Sequence, residues 1–193
     1  FGVLGGPARH DILCPYYREK YPETFDAGVD EKLVYCGPYK LEDKLEGSSM
    51  TIAQALLSPT RTYAPVIMKI MKKHPGLIKG LVHCSGGGQT KCVRFGKSVH
   101  FVKDNLMDVP PIFKAIQKAS GTSDREMFEV YNMGHRMEVY CSKSDAKKVI
   151  DIAESYAVEA RVIGHTEKSA RPDRKNHVSV KYAGKTLEYG PRD

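Results

Sequence analysis

Apolar and polar positions along the chain fall into two periods, helical and strand-like. The first helical stripe runs from Ala8 to Tyr21, with Ile12, Leu13, Tyr16, Tyr17 and Tyr21 on one side and Pro22 as its stop. From Glu23 to Ser49 the pattern dissolves into Gly, Pro and charge, which predicts a long loop with one short strand at most. A clearer helix follows over Pro65 to Lys73, with Val66, Ile67, Ile70 and Met71 facing inward and His74-Pro75-Gly76 as its end. Ile78 to Cys84 then reads as an apolar strand that leads into Ser85-Gly86-Gly87-Gly88, with a short helix over Gln89 to Phe95.

Val99 to Lys103 is another short strand, and Val109-Pro110-Pro111 marks a helix start that carries on to about Ser120. Ser123-Asp124-Arg125-Glu126 has capping-box spacing and predicts a helix to about Tyr131. Arg136 to Cys141 alternates, with Met137, Val139 and Cys141 on the apolar face against Arg136, Glu138 and Tyr140. Ser142-Lys143-Ser144-Asp145 repeats the capping-box spacing before a helix with Ala146, Val149, Ile150, Ala153, Tyr156 and Ala157 on one stripe. With a strand over Glu159 to His165, residues 136–165 read as a right-handed βαβ unit. His177 to Tyr182 and Thr186 to Tyr189 flank Ala183-Gly184-Lys185 as a hairpin. Parallel and antiparallel pairing together predict an α+β fold, helices on a mixed sheet, with no internal repeat.

Composition narrows the function. Thirty Lys and Arg against 23 Asp and Glu give a net charge of +7, which favours anionic partners in general. The basic residues are spread out, there is no Trp, and no aromatic-and-basic alternation appears, so a nucleic-acid platform is a poor match. No apolar run approaches the roughly 20 residues of a membrane span. The five cysteines stand at unrelated spacings, without a C-x-x-C pair or a Cys/His set at zinc spacing, and imply a reducing, cytoplasmic setting. His83 and Cys84 are neighbours on a strand and point to opposite faces, which rules them out as a proton-sharing pair. The chain opens on Phe1 without a secretory signal, and we expect an internal cut in a longer protein.

Four places could carry chemistry. Ser85, Gly86, Gly87 and Gly88 follow a strand and precede a short helix, where main-chain N–H groups can converge on an anion with Lys91 and Arg94 one turn on; a plain tight turn is the alternative. Thr60 and Arg61, within Ser58-Pro59-Thr60-Arg61-Thr62-Tyr63, either grip a phosphate through the guanidinium fork or only cap the next helix. His135, after Gly134, is either a titrating group or an exposed polar residue. Asp104-Asn105 could orient a substrate amide or simply make a turn. No acidic cluster suits magnesium, no metal site is expected, and no nucleophile, base and orienter assemble, so the catalytic residues stay unassigned.

Three motifs together resemble one family. Leu57-Ser58-Pro59-Thr60-Arg61-Thr62-Tyr63, Val82-His83-Cys84-Ser85-Gly86-Gly87-Gly88, and Pro110-Pro111-Ile112-Phe113-Lys114-Ala115-Ile116-Gln117 with Glu126 to Gly134 occur in the order and spacing of aminoimidazole ribonucleotide synthetase, the phosphoribosylformylglycinamidine cyclo-ligase family. Leu56 to Tyr189 is similar to its C-terminal domain, so residues 56–193 are expected to form that domain, with 1–55 as a linker helix and extended loop region. The resemblance implies a three-layer α+β domain, distantly ferredoxin-like, and an ATP-dependent ring closure in purine synthesis. ATP and magnesium would be held mainly by an N-terminal domain that also makes a homodimer, with no cofactor expected on this chain alone. The substrate, a phosphorylated ribonucleotide, would meet the glycine loop and the Arg61 loop, with His83, Asp104, Asn105 and His135 as further cleft residues.

Gln89-Thr90-Lys91-Cys92-Val93-Arg94-Phe95 departs from the family's usual Asn and Pro-Arg, and Gly134-His135-Arg136 replaces its Gly-x-Gly. Two other readings accompany the first: a non-catalytic module whose charge serves an acidic protein assembly, and another synthetase or kinase of the same superfamily.

Overall fold

The computed structural model describes residues 5–190; the opening Phe1 to Leu4, on which the expected internal cut rests, lies outside them, as do the last three residues. The chain divides into two units, Phe1–Arg61 with Val109–Met127 and Thr62–Asp108 with Phe128–Asp193.

In the first unit the expected single helix from Ala8 to Tyr21 is two. α1 is Gly5–Ile12 and α2 is Tyr16–Lys20. Pro15 has no N–H to give and pushes Cys14 out of the helical region, so the backbone breaks there. The freed groups pair elsewhere: Leu13 bridges Tyr39, and Cys14 N–H donates to Tyr39 O at 2.8 Å. The segment read as a loop holds no named strand. It is pinned instead by side chains, with Arg9 donating to Thr24 O at 2.7 Å, Arg18 to Val34 O at 2.6 Å, and Leu41 N–H donating to the Tyr17 hydroxyl at 2.8 Å. α3, Ile52–Leu57, starts in a full capping box between Thr51 and Gln54. α5, Pro111–Ser120, packs on α1 and ends at Gly121 in the left-handed conformation. α6, Asp124–Val130, carries the chain across the boundary between the units, with Ser123 Oγ accepting from Glu126 N–H at 3.3 Å.

The second unit is a mixed α+β arrangement. α4, Ala64–Lys73, packs on α7, Ala146–Glu154, around Val66, Ile70, Leu77, Ile152 and Ala153. Met71, expected inside, is exposed, and Tyr156 and Ala157 lie past the end of α7 and are exposed too. Ser142 makes no side-chain cap to the following backbone; its hydroxyl donates to the Asp145 carboxylate at 2.6 Å.

The strands form two sheets. β1, Gly80–His83, pairs antiparallel with β3, Met137–Tyr140. A four-stranded sheet runs in the order β4-β2-β5-β6, from β2, Val99–Lys103, β4, Gly164–Lys168, β5, His177–Tyr182, and β6, Lys185–Tyr189. β2 and β5 are parallel and the other pairs antiparallel. The expected βαβ unit over 136–165 is therefore absent: β3 and β4 belong to different sheets, and the β4 strand begins only at Gly164. The hairpin stands, with a link one residue shorter than read, because Tyr182 pairs with Lys185. Ala183 and Gly184 both take positive φ, 48° and 76°, as a two-residue turn with the twist of the strands requires.

Candidate functional site

The glycine loop is built by β1. That strand delivers His83 outward and Cys84 inward, and Cys84 N–H donates to Arg136 O at 2.5 Å beside the start of β3. The chain then turns: Gly88 N–H donates to Ser85 O at 2.9 Å across Gly86 and Gly87. Gly87 sits at φ 95°, ψ 3°, the left-handed corner of a type II turn. A 3-10 helix over Gly88–Arg94 follows.

The three glycines have different reasons to be glycine. A Cβ on Gly88 would overlap Tyr131 O and come within 2.7 Å of Phe128 O, so this residue lets the loop press on the backbone after α6. A Cβ on Gly86 would meet nothing within 4 Å. The N–H groups of Gly86 and Gly87 have no hydrogen-bond acceptor among the described residues. Cations frame them: Lys91 Nζ donates to Ser85 Oγ at 2.7 Å, and an Arg94 guanidinium nitrogen stands 3.9 Å from the Cβ position of Gly87. A depression of about 240 Å³ opens beside Gly87, lined by Thr90, Val93, Arg94, Tyr189 and Gly190, with Glu129 as its acidic member.

The other sequence candidates are placed as follows. Thr60 and Arg61 are exposed at the end of the first unit's opening segment. His83 is exposed on β1, with Tyr63 edge-on to its ring at 6.2 Å. Asp104 and Asn105 are exposed at the end of β2, where both N–H groups donate to Ile163 O at 3.1 Å and Asn105 Nδ2 donates to Val162 O at 2.7 Å, so the Asn105 amide is committed to the turn. His135 is neither exposed nor a free titrating group. It is buried, with both ring nitrogens unpartnered among the described residues, and burial followed by the Lys103 charge pushes its pKa down to about 4.

Beneath the loop lies a cluster the sequence reading missed. Lys103 Nζ donates to Glu138 Oε1 at 2.5 Å, to Gln89 O at 2.6 Å and to Gln89 Oε1 at 3.0 Å. Gln89 Nε2 in turn donates to Asn132 O at 2.5 Å and His135 O at 3.1 Å. Tyr140 and Cys84 complete the acceptor demand of Glu138. Burial alone drives both charges toward neutrality; the mutual attraction and hydrogen bonds outweigh it, leaving Lys103 above and Glu138 below the ordinary values. The β3 face read as outward is thus partly the inward one: Glu138 is buried while Met137 and Val139 are half-buried. The available signal was Lys103, a cation two places after buried Phe101 and so on the same inward parity.

An α+β domain with a mixed sheet, a glycine turn carrying two open amides, and a buried ion pair beneath it is the class that the geometry defines. The AIR synthase related protein, C-terminal domain, family model matches residues 38–175, and the chain belongs to that family. It is 41% identical over 173 residues to the phosphoribosylformylglycinamidine cyclo-ligase of Methanococcus vannielii, covering 88% of this chain and 45% of that protein. The cyclo-ligase of Methanococcus maripaludis is 37% identical over 140 residues, 71% of this chain and 40% of the relative. That of Caldicellulosiruptor saccharolyticus is 33% identical over 144 residues, 73% and 40%. The chain therefore spans less than half the length of these curated relatives.

Proposed function

We propose that this chain is the C-terminal half of an ATP-dependent cyclo-ligase that closes the imidazole ring of aminoimidazole ribonucleotide, and that its glycine turn holds the substrate's phosphate. The observation that carries the reading is the pair of unpartnered amides at Gly86 and Gly87, framed by Lys91 and Arg94. Main-chain N–H groups at a turn, joined by cations, bind anions with little reorganisation. The buried Lys103 holds Gln89 through its main-chain oxygen and so fixes where the turn leads. Within the second unit, His83 and Asp104 are the further substrate-facing residues of this reading.

On this reading residues 56–193 work as the family domain and 1–55 as the linker to a preceding domain, which holds ATP and magnesium and makes a cytoplasmic homodimer. The short match to longer relatives supports that division. Magnesium prefers carboxylate and phosphate oxygens. Among the described residues the one clustered metal-ligand group contains two imidazoles, which do not fit it.

Calorimetric titration with formylglycinamidine ribonucleotide and with its dephosphorylated nucleoside tests the proposal. The nucleotide is expected to bind at least about tenfold more tightly, through charge-assisted contacts worth about 1.5–3 kcal/mol. Replacing Lys91 and Arg94 together by Ala should remove that preference. Equal affinity for both ligands would overturn the phosphate cradle.

A further inference from the structure

The four-stranded sheet brings together ionisable groups from far apart in the chain. His100 on β2 is opposite Glu167 on β4 and in register with His177 on β5, while Ser179 on β5 faces Glu188 on β6. Residues two apart on a strand share a face, so Glu167, His100, His177, Ser179 and Glu188 all project to the same side. The two imidazoles stack there with centroids 4.0 Å apart and planes 14° apart.

Hydrogen bonds assign the protons. Ser169 Oγ donates to Lys175 O at 2.9 Å, so toward His177 it can only accept, and the 3.1 Å contact places the ring proton on His177 Nδ1. Glu167 Oε1, 2.8 Å from His100 Nδ1, places the proton there as well. Ser179 Oγ then donates to His100 Nε2 at 2.8 Å. With a single proton on Nδ1 of each ring, both carry their lone pair on Nε2. One ring nitrogen of each and a carboxylate oxygen of Glu188 lie within 4.8 Å of one another.

We propose that His100, His177 and Glu188 form a binding site for a divalent transition-metal ion of the zinc class, with Glu167 as the outer carboxylate that orients His100. Two neutral imidazoles and a carboxylate are a donor set that suits zinc, nickel or cobalt. A carboxylate accepting from the distal N–H of a ligating histidine is the usual outer support. Charges also balance: Glu188 and Glu167 offset the ion's two positive charges. Zinc holds nitrogen at about 2.0–2.1 Å, so the donors must draw inward: Glu188 is exposed and can swing, and His100 Nε2 must exchange its bond to the buried Ser179 hydroxyl for the ion. Arg171 is the opposing cation; it feels Glu188 but is itself clamped by Asp173 at 3.0 Å. The site was invisible in the sequence because its ligands come from three strands at no motif spacing.

The test is zinc titration of the chelator-stripped chain by calorimetry, with histidine side-chain 15N NMR to identify the ligating nitrogens. One equivalent is expected to bind, shifting the Nε2 resonances of His100 and His177. His100→Ala and Glu188→Gln should each weaken binding about tenfold or more, and Glu167→Gln about 10- to 100-fold. Glu188 is exposed, so its variant keeps the fold even if a histidine variant does not. Cys36→Ser, which removes the exposed thiol, should leave affinity unchanged. Absence of binding, binding that survives Glu188→Gln with unshifted Nε2 resonances, or binding lost in Cys36→Ser overturns the assignment.

Discussion

Lys103 Nζ lies 2.5 Å from Glu138 Oε1, and each side chain is 4% exposed. The ammonium ties the end of β2 to the middle of β3 and to the 3-10 helix after the glycine turn, three pieces far apart in sequence. Removing one partner of such a pair leaves an uncompensated buried charge, so Lys103→Met and Glu138→Gln should each cost about 3–5 kcal/mol in urea unfolding. The double variant Lys103→Met, Glu138→Gln should cost clearly less than the sum of the two. Simple additivity would show that the charges do not depend on each other.

The same pair makes stability depend on pH at both the acid and the alkaline end. Glu138 titrates below its ordinary 4.5 in the folded chain, so its contribution is present above that value and drains away as pH falls through the lower folded one. Lys103 titrates above 10.5, so its contribution is complete below 10.5 and drains away as pH rises through the higher folded value. Unfolding midpoints measured from pH 2 to 12 should show both losses in the wild type, with Glu138→Gln blunting the acid one.

His135 acts in a nearer window. Its folded pKa of about 4 lies under the ordinary 6.5, so the unfolded chain takes up the proton first and stability falls as pH drops from 6.5 to 4. Across that whole window the loss approaches about 3 kcal/mol. His135→Leu removes the titration and two buried, unpartnered nitrogens, and should be more stable than wild type at pH 5. A variant that keeps the wild-type pH slope between 6.5 and 4 would assign that slope elsewhere.

The glycine turn separates packing from ligand binding. Gly88→Ala must displace the Tyr131 and Phe128 carbonyls and should cost more than about 2 kcal/mol, at the upper end of single substitutions. Gly86→Ala meets open space and should shift stability by no more than about 0.5 kcal/mol. Thermal melts of the two variants check the contrast, and equal losses would mean that the turn tolerates or resists both alike.

Thiol chemistry should follow burial. Cys36 is exposed, whereas burial pushes the buried Cys84 and Cys92 thiols up, Cys92 to about 11. Titration with a disulfide reagent should modify Cys36 first and leave Cys84 and Cys92 unreacted until denaturant is added. Early modification of Cys84 in the native chain would contradict its place beside Glu138.

Much of this fold was legible. Strand β2 and the helices α4, α5 and α6 are where periodicity, prolines and caps put them, because their apolar faces meet a core and local signals agree with it. The break at Pro15 was also readable, since a proline inside a helical stripe ends it. So was α3, whose Thr51 and Gln54 carry the capping-box spacing. The sheet assignment was not: β3 and β4 satisfy the pattern of a βαβ unit, and only long-range pairing decides that β4 joins β2 instead. The inward turn of Glu138 was hidden for the same reason, because its partner Lys103 is supplied by another strand. Of the candidate site residues, the glycines stand out as a motif, while the surroundings of Gly88 and His135 depend on which backbone and side chains press against them.

The parallel pairing of β2 with β5 has a consequence for synthesis. Val99 N–H donates to Asn176 Oδ1 across 77 positions, at the point where the two strands meet. A ribosome that has released everything up to α7 therefore still presents β2 with both edges bare, because β4 and β5 follow it in the chain. Loop closure over that distance makes the sheet a late event in folding, and a nascent chain stalled short of Tyr182 exposes the segment most prone to pair with a neighbour.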